Sequence, residues 1–174
     1  MNKRIYLSPP YMGKNEKKYL NDAFDSNWIA PLGPHVDSFE DEISNYLGVK
    51  SAAALSSGTA ALHLALKLIN IKENDIVLCP SLTFAASANV ILYEMATPVF
   101  IDVNKETWTI DVELLELAIK KYKPKALIAV DLYGQSCNYL EIIDICNKYN
   151  VFLIEDAAEA LGADYNNKKC GSFG

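Results

Sequence analysis

The sequence predicts an α/β fold, a mostly parallel sheet with helices on both faces. Three observations point there. Short β-rich runs recur at nearly even spacing, segments of helical periodicity lie between them, and three of the runs end in carboxylates. Alternating strands and helices require crossover connections, and these gather the strand C-termini on the edge where open α/β sheets bind ligands.

The elements follow in order. Residues 1–50 stand apart from the rest. SPPYMG and NWIAPLGPH are rich in turn formers, and KNEKKYLNDAFDS (14–26) has a helical period, so this stretch reads as an arm and a helical layer outside the sheet. SAAAL (51–55) is the first strand run. TAALHLALKLI (59–69) is almost continuously apolar, which predicts a largely buried helix. DIVLC (75–79) comes next, then PSLTFAASAN (80–89) with Phe84 at a helix start, then TPVFI (97–101). In DVELLELAIKKYK (111–123), Val112, Leu115 and Ile119 share one face, and the lysines gather at the C-terminal end, where they suit the helix dipole. ALIAV (126–130), a helix over YLEIIDICNKY (139–149) and VFLI (151–154) complete the alternation. The closing KKCGSFG reads as a turn opening into something further, so residues 51–174 are expected to be the first part of a larger domain.

Composition narrows the function. The chain has 174 residues, 51% of them hydrophobic and 22% charged, enough for one domain with a sizeable core. A net charge of −6 with no basic stripe argues against a nucleic-acid partner. Cys79, Cys137, Cys146 and Cys170 form no CxxC pair and have no histidine close in sequence, so neither a zinc site nor a disulfide is expected. No apolar run approaches the roughly 18 residues of a membrane span. The N-terminus carries charge without an apolar signal core, and the expected compartment is the cytoplasm.

Several residues are candidates for chemistry. SSGTAAL (56–62) opens a helix: Ser56, Ser57 or Thr59 can cap it, and Gly58 allows a ligand close to the backbone, an arrangement suited to phosphate or to an ordinary cap. Neither GxGxxG nor GxxxxGK[ST] occurs. Phe84 can stack on a planar ligand or simply fill core. Carboxylates close three strand runs: Asp102, Asp131 and the pair Glu155–Asp156, with Glu159 three residues beyond. They suit N-caps, buried hydrogen-bonded acids or a Mg²⁺ site of a phosphotransfer enzyme built on Asp102, Asp131 and Asp156. Asp156 is the sharpest case, because it ends a wholly apolar run and a buried carboxylate needs a partner. His63, inside an apolar helix, is expected in the core; His35, after Pro34, is expected in a solvent-facing turn.

In their order, SSGTAALHLAL, PSLTFAASAN, PVFIDV, VDLYGQ, LIEDAAEALGA and GSFG resemble the pyridoxal-phosphate-dependent nucleotide-sugar aminotransferases of the DegT family, over essentially the whole chain. LSPPYMGKNEKKYL, SNWIAPLG and EDAAEALG are most similar to the enzyme that aminates UDP-4-keto-6-deoxy-N-acetylglucosamine at C4 in N-acetylbacillosamine synthesis. The resemblance implies an aspartate-aminotransferase-like large domain, a homodimer, pyridoxal 5′-phosphate as cofactor, and L-glutamate and a UDP-linked sugar as substrates. It implies that Asp156 partners the pyridine nitrogen, that Gly58 and Thr59 form the phosphate turn, that Phe84 stacks on the ring, and that Glu159 lies near the phenolic oxygen. Asn27, Trp28, Ile29, Ala30 and Ser57 would touch the sugar nucleotide. The family's Schiff-base lysine follows GSFG by roughly ten residues, past Gly174; Lys168 and Lys169 precede that motif and do not match it. Residues 1–174 alone are therefore expected to lack turnover. Two further functions remain compatible with the sequence, a dehydratase of the same fold and a non-catalytic chain.

Overall fold

A computed structural model describes residues 4, 6 and 10–174; residues 1–3, 5 and 7–9 of the expected arm lie outside them. The chain divides into two compact units, Met1–Tyr46 with Lys50–Ala54, and Leu47–Val49 with Leu55–Gly174.

The first unit is helical. α1 (Glu16–Asp25) buries no residue, and α2 (Pro34–Leu47) starts on proline, whose missing N–H costs nothing in a first turn. His35 therefore stands in a helix, not a turn, and its Nε2 lies 2.8 Å from Asp22 Oδ2. The run 51–55, expected as a strand, pairs with no strand among the described residues. Its alanines have little preference for a ladder, and the Ala54 N–H donates to Glu40 Oε1 at 2.7 Å instead.

The second unit is built on a four-stranded parallel sheet in the order β2-β1-β3-β4. Its strands are β1 (Ile76–Pro80), β2 (Thr97–Ile101), β3 (Ala126–Val130) and β4 (Phe152–Asp156). α3 (Gly58–Leu68) precedes β1, α4 (Ala85–Tyr93) follows β1, α5 (Val112–Tyr122) follows β2, and α6 (Tyr139–Tyr149) links β3 to β4. A short hairpin, β5 (Asp164–Tyr165) with β6 (Lys168–Lys169), comes last.

The pleat sorts the core into two layers. Val77, Cys79, Ala126, Ile128, Val130 and Ile154 pack with Leu62 and Leu66 of α3 and with Val90 and Ile91 of α4. Their neighbours in sequence, Leu78, Leu127 and Ala129, pack with Leu115 and Ile119 of α5 and with Tyr139 and Ile142 of α6. Period-2 alternation thus covers both faces with helices. The two acids that close β4 obey it as well: Asp156 follows Ile154 to one face, and Glu155 follows Leu153 to the other.

Two expectations need correcting. α3 is not largely buried, since only Leu62 and Leu66 are enclosed while Leu68 is 77% exposed. A helix lying on one sheet face buries a single stripe, and α3 carries apolar residues beyond that stripe. His63 is not a core residue either; it and Lys67 both bind the carboxylate of buried Glu94 at the contact between α3 and α4. Among the described residues, no helix is long and apolar enough to cross a membrane.

Candidate active site

Along the sheet, the chain leaves β1 and β3 toward opposite faces, through α4 and α6. The crevice at the strand C-termini there is the usual ligand position in such sheets. A cavity of about 380 Å³ occupies it, lined by Gly58, Thr59, Phe84, Asp131, Tyr133, Asp156 and Glu159 among others.

Each part has a local cause. Ser57, extended at φ −167°, caps α3 by accepting from the Ala60 N–H at 3.1 Å. The first N–H groups of the helix, on Gly58 and Thr59, have no intrahelical acceptor and lie at the positive end of its dipole. A Cβ built on Gly58 would meet no atom within 4 Å. The protein's own packing therefore does not demand glycine there; its effect is to leave room over the helix end. Phe84 is the N-cap of α4 and is 79% exposed, so it is not core.

Asp156 is tied on two sides. The Ser87 hydroxyl donates to its Oδ2 at 3.2 Å, and the Ala158 N–H donates to Oδ1 at 3.3 Å. Ser87 is itself buried and exchanges a hydrogen bond of 2.9 Å with Thr83. Burial pushes the Asp156 carboxyl above its ordinary value against the pull of these two donors, and the nearby charges of Asp131 and Glu159 add to the rise. An acid so placed favours a cationic partner. Neither Ser87 nor Thr83 was picked out from sequence; the usable signal was two hydroxyls four residues apart in an otherwise apolar helix start.

Glu159 accepts the Tyr133 N–H at 2.8 Å. Tyr133 sits in the short 3₁₀ turn Leu132–Gly134 at φ 54°, a left-handed conformation costly for a bulky residue, and the Glu159 carboxylate holds it there. Asp131, 1% exposed, accepts at Oδ1 from the Cys137 N–H (2.8 Å) and the Tyr139 hydroxyl (2.9 Å), while its Oδ2 has no hydrogen-bond partner among the described residues.

A Mg²⁺ site on Asp102, Asp131 and Asp156 does not form. Asp102 is exposed and accepts from its neighbour Val103 N–H and from Ser81, and Asp131 turns Oδ1 toward α6. Among the described residues, the acid and thiol donors that do approach one another, within 4.8 Å, are those of Asp131, Glu155 and Cys170; both Glu155 oxygens are already taken by backbone N–H groups. Lys168 and Lys169 do not line the cavity. The Lys168 ammonium lies over the Phe173 ring and donates to Ser172 O, and Lys169 pairs with Asp164. Asn27–Ala30 belong to the first unit, in the segment after α1. A larger cavity of about 630 Å³, bordered by Asn104, Asp111, Gln135 and Asn138, holds none of the candidate residues.

Comparison with known proteins sets this geometry in a family. The sequence profile of the DegT/DnrJ/EryC1/StrS aminotransferase family matches residues 10–174. EpsN of Bacillus subtilis, assigned as a pyridoxal phosphate-dependent aminotransferase, is 55% identical over the whole chain and 46% of its own length. GDP-perosamine synthase of Vibrio cholerae is 43% identical over 98% of the chain and 46% of its own. Spr1654 of Streptococcus pneumoniae, assigned as a sugar aminotransferase and solved in its PMP form, superposes at a TM-score of 0.90 with 31% identity, over 98% of this chain and 46% of that one. The chain thus spans about half the length of the curated relatives it matches.

Proposed function

Because the chain belongs to the DegT/DnrJ/EryC1/StrS aminotransferase family, we propose that the whole protein transfers an amino group from L-glutamate to the C4 ketone of a UDP-linked 4-keto-6-deoxy sugar. The cofactor is pyridoxal 5′-phosphate. When bound it supplies an aldehyde that carries the amino group and a ring that accepts electrons.

The residues present fit that group. The observation that carries the reading is Asp156, a half-buried acid with two donors and no cationic side chain bonded to it among the described residues, facing the same cavity as the open end of α3 and the exposed Phe84 ring. Asp156 would hold the proton on the ring nitrogen, Gly58 and Thr59 would bind the phosphate, Phe84 would cover the ring, and Ser87 would orient Asp156. Glu159, fixed by Tyr133, would lie toward the phenolic oxygen. Asn27, Trp28, Ile29, Ala30 and Ser57 are proposed to serve the sugar nucleotide. A homodimer is proposed as well; large apolar side chains left exposed on the second unit, among them Leu92, Phe100 and Leu117, are consistent with further burial.

The substrate assignment is tested by offering the whole protein UDP- and GDP-linked 4-keto-6-deoxy sugars with L-glutamate. Turnover of the UDP sugar is expected; turnover of the GDP sugar alone would overturn the nucleotide assignment. Phe84→Ala tests the ring contact. Because Phe84 is exposed, stability without cofactor should change by less than about 0.5 kcal/mol. Cofactor affinity should fall by roughly tenfold, the scale of a lost stacking contact. Equal loss of stability with and without cofactor, in thermal melts, would return Phe84 to a packing role.

Acid–base behaviour gives a further test. The folded-state pKa of Asp156 is raised above its unfolded value. Stability is therefore fully present below the unfolded value and is lost as pH rises through the folded one. Relative to Asp156→Asn, the cofactor-free protein should lose melting temperature over that rise, and saturating pyridoxal phosphate should restore it. A pH-independent difference between the two proteins would contradict the assignment of a half-buried, cation-seeking acid.

A further inference from the structure

Glu155 lies next to Asp156 but points to the opposite face of β4, and there it holds a different part of the chain. Its Oε1 accepts the Gly171 N–H at 2.5 Å, and its Oε2 accepts the N–H groups of Phe173 at 2.6 Å and Gly174 at 3.2 Å. Three backbone donors converge on one half-buried carboxylate, the geometry of an anion nest with the anion supplied by the protein. Gly171, at φ 93°, lets the chain turn so that these donors point inward. At Gly174 a built Cβ would lie 2.5 Å from the Glu155 backbone nitrogen, so any side chain there would push the segment off the strand. The Phe173 ring closes the turn by stacking on buried Tyr139 at 4.3 Å and 4°.

From this arrangement we infer that Glu155 is a positioning residue, which fixes the direction in which the chain leaves Gly174 and so the reach of the following residues toward the Asp156 cavity. The inference rests on the reading, implied by the family resemblance and proposed here, that a cofactor-linked lysine follows Gly174. One strand end then serves two tasks, with the acid on one face engaging the cofactor and the acid on the other aiming the segment that brings the amine. Asp131 adds to the demand on Glu155. Burial foremost pushes the Glu155 carboxyl above its usual range, and the Asp131 charge adds to it, while the three N–H donors act the other way and favour the ionised form.

The test uses the whole protein containing this chain, as wild type, Glu155→Gln and Glu155→Asp, saturated with pyridoxal 5′-phosphate. Lysine amine and cofactor aldehyde join with loss of water, and sodium borohydride reduces the link to a stable secondary amine that peptide mass spectrometry locates. Wild type should carry one adduct on a lysine after Gly174. In Glu155→Gln, an amide N–H group confronts backbone N–H groups, so exchange at the Gly171, Phe173 and Gly174 amides should quicken by about tenfold or more. The adduct should then form roughly tenfold or more slowly, because small misplacements of a reacting group carry large rate penalties. Total cofactor retained, measured by dialysis after brief exposure, should stay within about twofold, since the contacts of Asp156 and the α3 end do not pass through Glu155. Glu155→Asp, which keeps the charge, should recover part of the rate, and it carries the same comparison if the Gln variant does not fold. Wild-type trapping in Glu155→Gln, or amides that stay protected there, would overturn the inference. Wild type without an adduct after Gly174 would overturn the lysine reading beneath it, a failure visible without any variant.

Discussion

Asp156→Asn should leave the fold in place and lower turnover of the whole protein by about two to three orders of magnitude, the scale on which loss of a preorganised charge partner acts. The substitution keeps the size of the side chain and one acceptor: the amide oxygen can still take the Ala158 N–H, while the amide NH2 in the other position can donate to the Ser87 hydroxyl, which also accepts. What it removes is negative charge, and a neutral amide does not hold a proton on a ring nitrogen. Stability without cofactor should stay level or rise at neutral pH, because the folded protein no longer carries an ionised acid whose pKa burial has raised. The combination is diagnostic: a structural acid would lose stability, and a cofactor partner would lose rate. Full activity in the variant would sink the assignment.

The largest expected effect on stability belongs to Tyr139→Ala. Tyr139 is fully buried, stacks on Phe173, meets Tyr165 edge-on and donates its hydroxyl to Asp131. Removing a buried aromatic ring costs about 3–5 kcal/mol, which for a chain of this size lowers the melting temperature by roughly 10 °C. Tyr139→Phe isolates the hydroxyl. It keeps the stack and leaves Asp131 Oδ1 with only the Cys137 N–H, for a loss of about 1–2 kcal/mol. Denaturant unfolding of the two variants separates the ring from the hydrogen bond; equal losses would show that the ring contributes little.

How much of this was legible in the sequence depends on the range of the interaction concerned. The parallel sheet and the helices at 111–123 and 139–149 follow from periodicity, because a buried face repeats along its own element. SAAAL failed because its apolar residues are mostly alanines, without the bulk that packs a ladder, and only tertiary context reveals that Glu40 takes the Ala54 N–H. α3 misled in the other direction, since a continuous apolar sequence shows that burial is possible but not how much surface is available to provide it. At the site, Asp156 could be picked out because it closes an apolar run. Glu155, its neighbour, drew no separate role, although the two-residue repeat of a strand already requires adjacent side chains to face opposite ways. The contacts of Ser87 with Asp156 and of Glu155 with Gly171–Gly174 span 69 and 16 to 19 residues, beyond any local pattern.

The four cysteines have a practical consequence. Cys79, Cys137, Cys146 and Cys170 are all free and all buried, and burial pushes the Cys79 thiol up to about 12, so little thiolate meets solvent at neutral pH. Within this chain, a single cysteine introduced on the surface would be the fast-reacting thiol toward a maleimide dye. Placed on the exposed side of α4, such a label would report cofactor binding by fluorescence without first stripping the native cysteines from the core.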